Sequence, residues 1–247
     1  MTFRFAIHNH IQTLLHCLDA QLLQQNQAYF GGGTVLAMDL GEYRQSRDVD
    51  FLCPIATSGY RQLRTVIFER GHEALFRTLQ PLTLGRCTTD QYGIRLRVDV
   101  AGQPIKLEII AEARCVFDSP RSVGWSPVAC LSWSDCFTSK LLANSDRYMD
   151  DGVQSRDLID LAMLTVHHSL PEVAIAKAEK AYEVIRPLRV AIERFQARPD
   201  YRDRCYEGLQ IRDVVIPRVV DGLDLLAERL ELAPMVRQFR EQEDGLG

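Results

Sequence analysis

Between Tyr29 and Cys53 the chain reads Tyr29-Phe30-Gly31-Gly32-Gly33-Thr34, then a short apolar segment closed by Gly41, then Arg44-Gln45-Ser46-Arg47-Asp48-Val49-Asp50-Phe51-Leu52-Cys53. From Asp48 onward acid and apolar residues alternate, which is the pattern of a strand with one functional face. Asp48 and Asp50 then project from the same side while Val49 and Phe51 pack inward. Two close carboxylates repel, so they call for a cation or a shared proton. Oxygen-only ligands suit Mg²⁺, which takes one or two carboxylates and fills its shell with water and substrate phosphate. An exposed acidic strand, with Arg44 and Arg47 as surface partners, fits the flanking apolar residues less well, because they set the strand centrally in a sheet. Upstream, glycines let the backbone turn and let a ligand approach it closely. At a helix start the open N–H groups and the dipole favour phosphate. Read alone, Gly31 to Thr34 is better taken as a tight turn followed by a capped helix over Val35–Leu40, with Thr34 at its start and Gly41 at its end.

Working outward, Ile11, Leu14, Leu15, Leu18 and Leu22 recur at helical spacing and predict one amphipathic helix ending near Asn26. Residues 58–70 read as a second helix. Ile94–Val100 and Pro104–Ile110 read as strands joined at Ala101-Gly102-Gln103, and Asp118 to Pro127 as a loop. From Ser134 onward the sequence is almost entirely helical. The prediction is an α+β chain in which a mixed sheet flanked by helices (1–130) precedes a helical subdomain (131–247) that completes the cleft and chooses the acceptor.

Two further groups carry chemistry. Lys106-Leu107-Glu108 lies in an otherwise apolar strand, so Lys106 and Glu108 share one face. Beside the strand of Asp48 and Asp50, Glu108 becomes a third carboxylate, for a second metal or as a base. Asp99 is its rival, and an edge strand with solvent-facing charges explains the pattern equally well. Lys140 opens a Lys-Leu-Leu-Ala helix, and Ser155-Arg156-Asp157-Leu158-Ile159-Asp160-Leu161 opens another. Asp157 and Asp160 are neighbours on one helix face. A first-turn acid complements the helix dipole, which accounts for Asp157; Asp160, among apolar residues, needs a basic partner.

The bulk composition narrows the class. A net charge of −4, from 29 basic and 33 acidic residues among 247, excludes a protein coated in positive charge for unspecific nucleic-acid binding. Seven cysteines contain no Cys-x-x-Cys pair and no zinc-finger spacing to histidine, so reduced, mostly buried thiols are expected. There is no signal-peptide pattern at the N-terminus, and no apolar run approaches the roughly 20 residues of a membrane span. A cytoplasmic, soluble chain without a membrane partner is expected.

On these residues the chain resembles the AbiEii/AbiGii-type nucleotidyltransferase toxins, a branch of the DNA polymerase β-like nucleotidyltransferase superfamily. The family pattern of Gly-Gly-Thr followed by Arg-x-Ser-x-Asp-x-Asp is matched at Gly32, Gly33, Thr34, Arg44, Ser46, Asp48 and Asp50. Its Lys-x-Asp/Glu strand is matched at Lys106 and Glu108, its Lys-Leu-x-Ala helix at Lys140–Ala143, and its Arg-Asp-x-x-Asp-Leu helix at Arg156–Leu161. Residues 144–154, with Asp146, Asp150 and Asp151, depart from the short basic connection of the family. The resemblance implies transfer of a nucleoside monophosphate from an NTP with release of pyrophosphate. Asp48 and Asp50 would hold Mg²⁺, two ions being compatible with Glu108 as third ligand or base. Gly32, Gly33 and Thr34 would cradle the triphosphate, with Ser46, Lys106, Asp157 and Asp160 in the nucleotide site. Lys140 would neutralise the departing pyrophosphate, and Arg44 would do the same or anchor its loop. It further implies a toxin with a cognate antitoxin, acting on an RNA (a tRNA among the candidates) or a protein.

Other readings keep the fold and change the role: a small-molecule acceptor, as in antibiotic-modifying enzymes, or a binding module without catalysis. A metal-dependent nuclease ranks last, since it has no need of the Gly-Gly-Thr turn. Arg186, Arg189, Arg194, Arg198, Arg202, Arg204 and Arg212 bear on the acceptor. Clustered on one face they favour RNA; dispersed among acids they are a solvated surface.

Overall fold

The computed structural model describes residues 2–235, which divide into two compact units: residues 2–42 with 46–136, and residues 43–45 with 137–235. The division falls inside a helix, beyond the position near 130 expected from composition.

The first unit is built on a seven-stranded mixed sheet with the order β3-β4-β5-β2-β1-β7-β6. Its strands are β1 (Tyr29–Gly31), β2 (Asp48–Pro54), β3 (Leu82–Thr89), β4 (Gly93–Val100), β5 (Gln103–Glu112), β6 (Arg121–Val123) and β7 (Ser126–Cys130). The β2–β5 and β1–β7 pairs are parallel, whereas β1–β2 and β4–β5 are antiparallel. Alternation divides β2, β4 and β5 into two faces. Val49, Phe51, Ile94, Leu96, Val98, Ile105, Leu107 and Ile109 are buried, and helix α1 (Ala6–Cys17) packs on β4 and β5 with Ile7, Ile11, Leu14 and Leu15 inward. Each fully buried side chain of this size contributes about 1.5–3 kcal/mol against exposure. The other face carries the charged residues.

The expected long first helix is two helices. The chain breaks after α1 because Leu18 turns extended and bridges Phe76, while the Asp19 carboxylate accepts the Leu22 N–H and starts α2 (Ala20–Gln25) afresh. Helix α3 (Gly32–Asp39) begins earlier than the expected Val35, with Gly31 and not Thr34 at its N-cap. Thr34 lies within the first turn and its hydroxyl bonds elsewhere. The C-terminal end is as expected: Gly41 takes φ +84°, and the Glu42 N–H reaches back to Ala37 O at 2.7 Å, the geometry of a Schellman end. Helix α4 (Gly59–Arg70) follows β2. The segment expected as a loop at 118–127 contains β6 and the start of β7, strands too short for their alternation to show. Among the described residues no two cysteines form a disulfide, and burial pushes the Cys53 and Cys130 thiols up to about 12.

In the second unit, α6 (Arg156–His167) is buried along most of its length, from Asp157 to Leu164. The remaining helices are α5 (Trp133–Arg147), which contains the division between units, α7 (Glu172–Glu179), α8 (Ile185–Ala197), α9 (Pro199–Gly208) and α10 (Ile216–Arg229). Helix α10 packs on α6 and is strongly amphipathic, with Val219, Val220, Leu223, Leu226 and Ala227 inward. Among the described residues no helix is long and apolar enough to cross a membrane.

The α6–α10 contact depends on a missing side chain. A Cβ at Gly222 would come within 2.1 Å of the Ala162 carbonyl oxygen, and backbone cannot yield as a flexible side chain does. Gly222→Ala is therefore expected to cost at least the roughly 1–3 kcal/mol typical of overpacking. Thermal or urea unfolding checks this; an unchanged midpoint would mean that the two helices slide past one another freely.

Candidate active site

Strand β2 lies between β1 and β5, and its register decides what its carboxylates meet. Asp48 pairs with Lys106 and Asp50 with Glu108 on β5; across β1, Asp50 stands opposite Gly31. The next strand sets Arg95 against Glu108 and Arg97 against Lys106. One sheet face thus gathers Asp48, Asp50 and Glu108 with Lys106, Arg95 and Arg97. The Glu108 carboxylate is held from both sides, by Lys106 Nζ at 2.5 Å and Arg95 Nε at 3.2 Å. That hydrogen bond to Glu108 in turn holds the Lys106 ammonium above its ordinary range. Asp99, the rival carboxylate, accepts the Gly102 N–H and shapes the β4–β5 turn.

The glycines sit where the carboxylate needs space. A Cβ on Gly32 would lie 2.7 Å from Asp50 Oδ2, and Gly32 has φ +69°. The Asp50 side chain therefore rests directly over the first turn of α3, whose leading N–H groups have no partner within the helix. Thr34 does something other than face outward. It is buried, with its hydroxyl 2.5 Å from Asp48 O and 2.7 Å from Ser46 Oγ. A hydroxyl has one hydrogen; given to the Asp48 carbonyl, it leaves Ser46 to donate to Thr34. The two hydroxyls tie the start of β2 to α3.

Divalent metal is implied by the resemblance, and the donor set can be tested for it. Asp48 and Asp50 supply hard oxygen ligands on one face, and the space over Gly32 admits the Asp50 carboxylate that a Cβ would displace. These two fit an ion that draws its other ligands from water and phosphate. Among the described residues no three His, Cys, Asp or Glu side chains gather as a metal cluster, and Glu108 is engaged by its two cations.

The remaining residues of the sequence pattern come together in the second unit, as a buried ion cluster. Arg44 grips both Asp160 oxygens, Nε at 2.7 Å and Nη2 at 2.9 Å, so of its two implied roles the geometry displays the anchoring one. Lys140 Nζ lies 3.0 Å from Asp157 Oδ1 and 2.6 Å from Asp160 Oδ2. Arg147 Nε donates to Asp157 Oδ2 at 2.5 Å, and the Tyr43 phenol donates to Asp160 Oδ1 at 2.6 Å. Burial pushes Tyr43 far up and keeps it a neutral donor. Burial also works to raise both aspartates, but the surrounding cations prevail and hold Asp157 and Asp160 below the usual carboxylate range.

Three participants carry little sequence signal. Arg95 was legible only as a face-mate of Lys106 and Glu108 once strand pairing is known. Tyr43 meets Asp160 from 117 residues away, and Arg147 meets Asp157 only once α5 and α6 are packed. Five of the C-terminal arginines have partners: Arg186 with Glu183, Arg194 and Arg198 with Asp151, Arg189 and Arg202 with backbone carbonyls.

Residues 14–230 match the family described as nucleotidyl transferase AbiEii toxin of type IV toxin–antitoxin systems. The chain belongs to this family and is a nucleotidyltransferase with a toxin–antitoxin role. Two solved structures from Helicobacter pylori share the fold, one a proposed nucleotidyltransferase and the other JHP933. Each has a TM-score of 0.51 and 18% identity; the alignments cover 90% and 93% of this chain and 95% of the other. No curated protein matches the chain.

The cluster generates a pH prediction. A carboxylate whose folded pKa is depressed contributes stability above its unfolded value, about 3.9, and that contribution is lost as pH falls toward the folded value. Stability should decline progressively below about pH 5. Asp160→Asn removes one such group, so its melting temperature should depend less steeply on pH in this window. At neutral pH the same change strands Arg44 and Lys140 and should cost about 3–5 kcal/mol. Unfolding followed from pH 7 to 3 tests both; an equal slope in the variant refutes the linkage.

Proposed function

We propose that this protein transfers a nucleoside monophosphate from an NTP, with Mg²⁺ held by Asp48 and Asp50, to a hydroxyl of an RNA or a protein acceptor. The supporting observation is the seating of Asp50 over Gly32, which sets a carboxylate at the first turn of a helix whose leading amides have no partner within the helix. Those amides, at Gly32 and Gly33, suit the triphosphate. Bound there, the metal supplies Lewis-acid polarisation and charge neutralisation of the phosphates. The acceptor oxygen forms a bond to the α-phosphorus, the α–β bridging P–O bond breaks, and pyrophosphate leaves with that electron pair. Lys106 and Arg95 neutralise phosphate charge. As the triphosphate draws them away, Glu108 becomes available as third ligand or as the base that takes the acceptor proton. Ser46 and Thr34 act through the strand they hold. Within the second unit, Asp157 and Asp160 hold Lys140, and Arg44 holds Asp160; charge neutralisation by Lys140 is what the family pattern implies for it. A cognate antitoxin is the expected partner, and the cytoplasm, where NTPs and Mg²⁺ are abundant, the expected compartment.

One observation favours a second acceptor class. Five of the C-terminal arginines have partners within their own unit, which weakens them as a ready RNA-binding face and supports a small-molecule hydroxyl as the alternative.

Purified protein incubated with Mg²⁺, total RNA or lysate protein, and each α-³²P NTP in turn tests the reading. Label on a macromolecule with one NTP, reduced about 10²-fold or more in Asp50→Asn, is the expected result. Label confined to small molecules selects the second reading. Equal labelling by Asp50→Asn would overturn the assignment of the metal strand.

A further inference from the structure

The chain leaves the first unit after Glu42 and re-enters it at Ser46. One buried side chain touches both of these residues. His8, in the first turn of α1, is fully buried. Its Nδ1 lies 2.7 Å from Glu42 Oε1, and its Nε2 accepts the Ser46 backbone N–H at 3.2 Å. The two contacts define the ring's protonation without further information. An Nε2 that accepts carries no hydrogen, so the hydrogen of the neutral imidazole is on Nδ1 and is donated to Glu42.

Glu42 is itself fixed. Its carboxylate also accepts the Arg4 N–H at 2.6 Å and the Phe5 N–H at 3.0 Å, and its own carbonyl accepts from Arg4 Nη2 at 2.7 Å. Burial raises this carboxyl, but the Phe5 and Arg4 amides and the His8 ring outweigh it, so that Glu42 stays ionised. Its backbone is left-handed, φ +54°, a conformation that a non-glycine residue keeps only where its surroundings impose it. The Phe3 and Phe5 rings stand edge-on to the imidazole, with centroids at 6.2 and 5.1 Å, and close the site to water.

Beyond Ser46 the connection continues by hydrogen bonds to the strand start: Ser46 Oγ to Thr34 Oγ1, and Thr34 Oγ1 to Asp48 O. We propose that His8 is a positioning residue for the metal strand: its Nδ1–H tautomer, oriented by Glu42, holds the Ser46 amide and through it the backbone of Asp48. The proposal rests on the reading of Asp48 and Asp50 as metal ligands. It assigns a role in nucleotidyl transfer to a residue outside the Gly-Gly-Thr, Arg-x-Ser-x-Asp-x-Asp and Lys-x-Glu patterns. Glu42 is its orienting partner, as a carboxylate orients a ligating histidine.

The decisive comparison is among wild type, His8→Phe, which keeps the ring and has no acceptor, and His8→Gln, whose amide oxygen can reach the Ser46 N–H. In the labelling assay, His8→Phe should need a higher Mg²⁺ concentration for half-maximal rate, by up to about tenfold for one lost hydrogen bond. His8→Gln should recover part of that shift. A uniform loss of activity in both variants, with unchanged Mg²⁺ dependence, would overturn the positioning role. Two readouts need no activity, and so separate failure of this proposal from failure of the transferase reading. Ring ¹⁵N shifts of His8 in the wild-type chain should report an unprotonated Nε2, and hydrogen exchange should show a protected Ser46 amide that loses protection in His8→Phe. A protonated Nε2, or a Ser46 amide that exchanges freely in wild type, refutes the proposal even where the variants fail to fold. Absence of transfer with every NTP would refute the reading of the site and leave these two measurements to decide the role of His8.

Discussion

Two carboxylates two residues apart on one strand repel each other, and the surroundings of β2 answer that repulsion. At about 4–6 Å an opposite charge favours the ionised form and a like charge disfavours it. The parallel register with β5 brings Glu108 to the side of Asp50 and adds a third negative group. The same register brings Lys106 level with Asp48, and β4 contributes Arg95 and Arg97 one strand further out. Cations are thus interleaved with acids along the sheet, and Glu108 is bound by two of them. For Asp50 the neighbours on the other side matter as well. On its β1 side stands Gly31, and Gly32 leaves open the volume its oxygen occupies. A glycine at φ +69° beneath the carboxylate thus lets Asp50 lie against the first turn of α3.

Much of this was legible from the letters because it is local. The spacing of Asp48 and Asp50 fixes their common face whatever the sheet order, and the same holds for Lys106 and Glu108. Gly41 could be read as a helix end because only a residue tolerant of positive φ closes a helix in that way. Local reasoning failed where a tertiary contact overrode it. Thr34 has the composition of an N-cap, yet α3 begins two residues before it because its hydroxyl finds the Asp48 carbonyl, a partner that exists only after β2 has packed. The apolar spacing from Ile11 to Leu22 is continuous, but the Asp19 carboxylate offers the backbone a new start and Phe76 takes Leu18 out of the helix. The β6–β7 hairpin was hidden because a strand as short as Arg121–Val123 has too few residues to show a period.

The buried charges of the second unit follow a different logic from the interleaved face of the first. Taking Arg44, Lys140, Asp157 and Asp160 out of water carries a desolvation penalty that their mutual attraction roughly offsets, and apolar residues of equal volume commonly do as well or better for stability. Stability is therefore a poor reason for so many charges at α6. Geometry is a better one. A guanidinium that meets a carboxylate through two parallel N–H···O bonds fixes direction as well as distance, and the Tyr43 phenol adds a third bond to the same carboxylate.

What that geometry fixes is a very short piece of chain. Tyr43, Arg44 and Gln45 belong with the helices, while the residues on either side belong with the sheet. The Tyr43 and Arg44 side chains on Asp160, and the Gln45 N–H on Leu209 O at 3.0 Å, hold the piece at each of its three residues. At its flanks, His8 holds Glu42 and Ser46. A connection of this length between α3 and β2 could have been a plain turn, which would leave the start of β2 free to shift along its neighbours. A slip of one residue would be enough to turn Asp48 and Asp50 to the apolar face. The His8 contacts with Glu42 and Ser46 lie within the first unit and oppose that slip.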